Sequence, residues 1–148
     1  MKFKKLHPNA IVPTRAYPTD AGLDLYAVSK HETPLYTEYK TGIAIELPEG
    51  TVGLLFPRSS VTNKALVLGN SVGVIDQTYT GEICLRFKRL YHIEGDDCEG
   101  CNALPDYSID ERVGQLVIVP VIIPEELVEV QELKQTARGH SGFGDSGS

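Results

Sequence analysis

Several things are missing from this 148-residue sequence, and each absence narrows what the protein can be. No apolar run is long enough to span a membrane. The amino-terminal MKFKKLHPNA is positively charged but has no apolar stretch behind the charge, so no secretory signal is expected. Basic residues are in deficit: 14 Lys and Arg stand against 20 Asp and Glu, a net charge of −6. General nucleic-acid binding needs a basic face, so that class is set aside. A small anionic ligand remains compatible, because a few arginines can build a local positive pocket. Cysteine is scarce and odd in number, three in all, which offers no disulfide framework and fits a reduced, cytoplasmic setting. No internal repeat is visible, and few windows carry apolar residues at helical spacing.

What is there reads as β-structure. The length suits one domain with a substantial core. Fourteen Gly and nine Pro punctuate short runs rich in Val, Ile, Leu and Tyr. LDLYAV, TGIAIELP, GTVGLLFP, EICLRFKRL and QLVIVPVII are the candidate strands. Ile83, Leu85 and Phe87 alternate with polar neighbours, as in a half-buried strand. One short helix is expected near Ser59–Ser60, where either hydroxyl can serve as N-cap. Regular short strands with turn signals predict an all-β sandwich, jelly roll or barrel. Ile93 to Glu111 is acidic and aperiodic, and reads as a surface loop.

Five stretches hold residue types that can carry chemistry. In AGLDL, Asp24 points away from Leu23 and Leu25; taken alone it is equally an edge-strand carboxylate facing water. In PRSS, Arg58 precedes Ser59 and Ser60 at the expected helix start, where a guanidinium fork and free N–H groups suit phosphate oxygens; the plainer reading is a capped turn. GNSVGVIDQTYTGEI predicts a β-hairpin turning around Asp76–Thr80, able to offer backbone donors and acceptors to a ligand between its arms or simply to serve as structure. RVGQLVIVP begins a strand with Arg112 and Gln115 and is otherwise apolar. The terminal RGHSGFGDSGS is a flexible tail by composition, yet its glycines could let successive N–H groups converge on polyphosphate. No GxxxxGK[ST] P-loop occurs.

Singly these stretches say little. In order, AGLDL, PRSS, GVIDQTYTGE, RVGQL and RGHSGFGDSG resemble the five motifs of the trimeric dUTP pyrophosphatases (dUTPases), across Ala21 to Gly147. The resemblance implies a jelly-roll-like distorted β-barrel over residues 1–137 and a Gly-rich arm, 138–148, exchanged between the chains of a homotrimer. It also implies Mg²⁺-dependent hydrolysis of dUTP to dUMP and pyrophosphate, limiting uracil in DNA and supplying dUMP for thymidylate synthesis. By resemblance Asp76 is the general base, Gln115 positions water and phosphate, and Asp24 holds Mg²⁺ through its water shell. Arg58, Ser59 and Ser60 contact phosphate. Asn70, Gly73, Val74, Ile75, Asp76 and Cys84 line the uracil pocket, and Tyr79 lies against deoxyribose. Phe143 stacks over uracil, while Arg138, Gly144 and Ser146 close over the γ-phosphate.

Three features stand apart from that pattern. Gly114 occupies a position where Ala is common in the family, a change expected to be tolerated. Asp145 stands beside the expected γ-phosphate, where its charge is unfavourable. Cys98-x-x-Cys101, with His92 nearby, is half a zinc site, a redox pair or plain loop cysteines. Alternatives to the pyrophosphatase are a dUTPase-like regulator binding a protein partner and a dCTP deaminase relative. DQTYTGE and the terminal GFG favour the pyrophosphatase over the deaminase.

Overall fold

The computed structural model describes residues 1–90, 106–137 and 139–140. Among the described residues nine strands form two antiparallel sheets: β1 (Lys2–Lys5), β2 (Gly22–Tyr26), β3 (Ser29–Glu32), β4 (Thr37–Glu46), β5 (Thr51–Phe56), β6 (Leu66–Leu68), β7 (Gly73–Ile75), β8 (Glu82–Arg89) and β9 (Arg112–Pro120). One sheet runs β1-β4-β8-β6, with β3 also paired to β4; the other runs β2-β9-β5-β7. From β4 onward each successive strand crosses to the opposite sheet. The result is the expected all-β, jelly-roll-like barrel. No helix among the described residues is long and apolar enough to cross a membrane.

The core follows from alternation. On β8, Ile83, Leu85 and Phe87 are buried, while Arg86 and Lys88 are exposed and Cys84 lies between. They meet Leu23, Leu25, Leu55, Val113 and Leu116 from the other sheet. Tyr39, Phe87 and Tyr107 form an aromatic cluster with ring centroids 5.4–5.8 Å apart.

Three sequence expectations need correction. The described end of the Ile93–Glu111 segment is loop with Ser108, Ile109 and Asp110 exposed, as expected, but Tyr107 departs from that reading: it is fully packed into the aromatic cluster beside Tyr39 and Phe87. The helix is a 3₁₀ turn, Ser59–Asn63, whose N-cap is Arg58 with no side-chain capping bond, so neither serine caps it. The predicted hairpin is not a paired ladder. Its arms enter different sheets, β7 on β5 and β8 on β4 and β6, since Gly73 must pack on Leu55 while Ile83 and Leu85 reach the opposite core face.

Candidate active site

Strand register assembles the first half of the site. Asp24 of β2 is the register partner of Gln115 on β9, and Gln115 is also opposite Phe56 on β5. This row sets the AGLDL and RVGQL motifs side by side, and the PRSS motif begins at Pro57, directly after Phe56. Arg58 Nε donates to Asp24 Oδ1 at 2.8 Å, and Arg112 Nη1 donates to Oδ2 at 3.2 Å. Gln115 Nε2 donates to the Pro57 carbonyl at 3.2 Å. Asp24 does lie on an edge strand, but it is 7% exposed and not turned to water. A buried carboxylate needs such partners, because desolvating it unpaired costs several kcal/mol. Gly22 makes room for the row: a Cβ there would fall 2.3 Å from Gln115 Oε1.

These groups open onto a pocket of about 340 Å³ lined by Asp20, Gly22, Asp24, Arg58, Ser59 and Gln115. Ser60 sits in the same turn but does not line it. The chemistry offered is a guanidinium, a hydroxyl and an amide around a carboxylate, which suits phosphate oxygens with an accompanying cation. No trio of His, Cys, Asp or Glu able to ligate a metal directly occurs among the described residues. Each Asp24 oxygen accepts one guanidinium bond and keeps further acceptor capacity. That donor set fits an ion held through its water shell, as Mg²⁺ prefers.

The second half lies where β7 and β8 part. β7 is a sheet edge, and β6 covers β8 only from Phe87 to Arg89. The gap is a pocket of about 560 Å³ whose lining includes Asn70, Val74, Ile75, Asp76, Tyr79 and Cys84. Gly73 is buried against Leu55 and does not line it. The Asp76–Tyr79 turn is closed by Tyr79 N–H donating to the Asp76 carbonyl at 3.0 Å, and Tyr79 Oη donates to the Glu82 carbonyl at 2.9 Å. Burial pushes the Cys84 thiol up to about 11, with Glu82 and Glu38 adding to the effect, so it lines the pocket as a neutral group.

Sequence reasoning missed several lining residues. Tyr36, Glu38, Arg86 and Lys88 also face the second pocket, where Arg86 pairs with Glu38 at 2.7 Å and lies 4.8 Å from the Tyr36 ring centroid. Glu38 belongs to a stretch of β4 lacking a clear apolar pattern, so only its pairing opposite Arg86 exposes it. Arg112 was visible in RVGQL, but its contact with Asp24 depends on the β2–β9 register. Arg138, Phe143, Gly144, Asp145 and Ser146, and also His92, Cys98 and Cys101, lie outside the described residues.

A family model described as dUTPase matches residues 8–90, more than half of the sequence. The chain belongs to the dUTPase family. A deoxyuridine 5′-triphosphate nucleotidohydrolase of Rhodococcus erythropolis is 40% identical, over 98% of this chain and 84% of its own. The Staphylococcus bacteriophage 80alpha dUTPase, determined with dUpNHpp, is 32% identical with a TM-score of 0.81, covering 99% of this chain and 98% of that one. A dUTPase variant from phage phi11 of S. aureus, described with a structural Mg(II) ion, is 30% identical with a TM-score of 0.72, covering 90% and 98%. Within this dUTPase chain the two pockets are separate: among the described residues none lines both.

Proposed function

We propose that this chain hydrolyses dUTP to dUMP and pyrophosphate, with Mg²⁺, at sites shared between copies of a homotrimer. The observation that carries the reading is the separation of a base-sized pocket holding Asp76 and Tyr79 from a phosphate-type pocket holding Asp24, Arg58 and Gln115. A triphosphate needs both, and a second copy can supply the missing half. The exposed apolar segment around Ile122 and Leu127 gives such copies a surface to bury.

The chain's residues divide the work. Arg58 and Ser59 bind phosphate oxygens and fix the chain of phosphates, with Ser60 beside them in the turn, while Gln115 orients the water beside the α-phosphate. Asp76 accepts the water's proton as it attacks, and pyrophosphate leaves. Asp24 would hold Mg²⁺ through water, and an ion there would supply positive charge to offset that on the leaving pyrophosphate. Uracil is read by main-chain groups of Val74 and Ile75 and near Cys84, with the Asn70 side chain. Cytosine presents the reverse donor and acceptor order and leaves buried groups unpaired, worth a discrimination on the order of 10⁴. Tyr79 excludes a ribose 2′-hydroxyl. The 1–137 barrel carries these groups; in the 138–148 arm Phe143 covers the base and Arg138, Gly144 and Ser146 cover the γ-phosphate. The enzyme works in the cytoplasm, where it limits uracil in DNA and supplies dUMP for thymidylate synthesis.

Pyrophosphate release from dUTP, dCTP, dTTP and UTP, each with Mg²⁺ and with EDTA, tests this. Turnover is expected for dUTP alone, and only with the metal. Comparable turnover of dCTP, or indifference to EDTA, would refute the mechanism.

A further inference from the structure

A cluster of charges packs behind the phosphate-binding turn. Lys64 follows the 3₁₀ turn and closes it, its own N–H donating to the Val61 carbonyl at 2.9 Å. Its side chain is 9% exposed. The ammonium reaches Glu111 Oε1 at 3.0 Å and Oε2 at 3.3 Å, donates to the Asp106 carbonyl at 3.1 Å, and lies 4.4 Å from the Tyr107 ring centroid. Every one of these partners belongs to a single segment, Asp106–Glu111, which runs straight into β9. That segment is itself pinned. Glu111 accepts the Ser108 N–H at 2.8 Å, and the Asp106 carboxylate pairs with Lys30 at 2.8 Å and with Arg89. Burial alone would raise the Asp106 carboxyl, but Lys30 and Arg89 outweigh it and hold it below the usual carboxylate range.

From these contacts we infer that Lys64 is a positioning residue for the phosphate half of the site; this rests on the dUTPase reading above. The turn bearing Arg58 and Ser59 is held in front by the Arg58–Asp24 pair and behind by the Lys64–Glu111 pair. Glu111 immediately precedes Arg112, the first residue of β9, and stands four residues before Gln115 of that strand. The rear clamp therefore fixes the turn against the strand that supplies Gln115. An ion pair with Lys64 buried but Glu111 37% exposed adds little net stability, because desolvation of the lysine and solvent screening of the carboxylate offset the attraction. Its consequence here is position. With the clamp gone, the turn keeps its front contact but can pivot about it, and groups that must meet phosphate oxygens within a few tenths of an ångström no longer do.

The test compares wild type with Lys64→Met, Lys64→Arg and Glu111→Gln. Methionine keeps an aliphatic stem on Tyr107 while removing the charge. In folded Lys64→Met, kcat/KM for dUTP is expected to fall roughly tenfold or more. Inhibition by inorganic pyrophosphate should weaken by a similar factor, inhibition by deoxyuridine should stay unchanged, and Lys64→Arg should restore most of the loss. Glu111→Gln should shift the same quantities in the same direction, and it carries the test if Lys64→Met does not fold. Wild-type kcat/KM in a folded clamp variant, or equal weakening of both inhibitors, overturns the inference while leaving the dUTPase reading intact. Absence of dUTP turnover by wild type overturns the reading itself and the inference with it.

Discussion

Gly81 lies against an aromatic ring, and that contact bears on sugar selection. A Cβ at this position would fall 2.6 Å from Tyr79 Oη and 2.7 Å from its Cζ, so the ring would have to swing away. Gly81→Ala is expected to lower the preference for dUTP over UTP by about tenfold, with little change in melting temperature. The ratio of kcat/KM values for the two nucleotides measures this, and an unchanged ratio would remove Tyr79 as the sugar discriminator. Gly114 is placed with similar tightness. A methyl there would meet Leu85 Cδ2 at 2.4 Å and the Phe56 carbonyl at 2.9 Å, so Leu85 occupies the space that an alanine side chain needs. Cys84 gives a pH-dependent readout. Its thiol is raised by burial from 9.0 to about 11, so the folded state holds its proton longer than the unfolded chain. The corresponding stabilisation is complete below pH 9.0 and is lost as pH climbs from there through about 11. At pH 8, alkylation of Cys84 by iodoacetamide should be about a hundredfold slower than in urea-unfolded protein, read by mass spectrometry; equal rates would contradict the burial.

At the level of elements, strand identity was largely legible and strand pairing was not. LDLYAV, GTVGLLFP and EICLRFKRL all contain strands, since β-branched and apolar alternation is a local property. β1 and β3, in contrast, are polar strands, KFKK and SKHE, with no buried face to write a pattern. The hairpin motif announced a turn correctly, but which sheet each arm joins depends on distant partners in β4 and β5. The β2-β9-β5 row is the element on which the pocket holding Asp24, Arg58 and Gln115 rests. Asp24→Asn removes the charge facing two arginines, and the unfolding free energy should drop by about 1–3 kcal/mol, below the range for a fully buried pair because the Arg112 side chain is 43% exposed. Urea midpoints with an unchanged m-value measure this, and an unchanged midpoint would mean the row does not need that charge.

For the whole molecule the decisive property is that one chain presents two separate pockets, one with Asp76 and Tyr79 and one with Asp24, Arg58 and Gln115. If active sites are shared, a variant defective in each half should complement the other. Asp76→Asn and Gln115→Ala are each expected to lose most turnover while remaining folded. Unfolding and co-refolding them in equal amounts should restore a substantial fraction of wild-type dUTP hydrolysis, because some mixed sites draw both intact halves from different chains. Activity no higher than the sum of the separate variants would show that each chain acts alone.

By itself the sequence determined the class of fold and the inventory of chemistry. Alternation and turn residues act over a few positions, so Ile83, Leu85 and Phe87 declare their face without help, and the ordered motifs name Asp24, Arg58, Asp76 and Gln115. Tertiary structure decided which of them meet. Asp24 finds Arg112 at a separation of 88 residues, and Lys64 finds Glu111 at 47. Those contacts depend on register between strands and on the shape of the core beneath them, and no local pattern encodes register across such distances. The same physics splits β7 from β8. Each arm buries its own apolar face in a different sheet, and the space between them becomes a pocket.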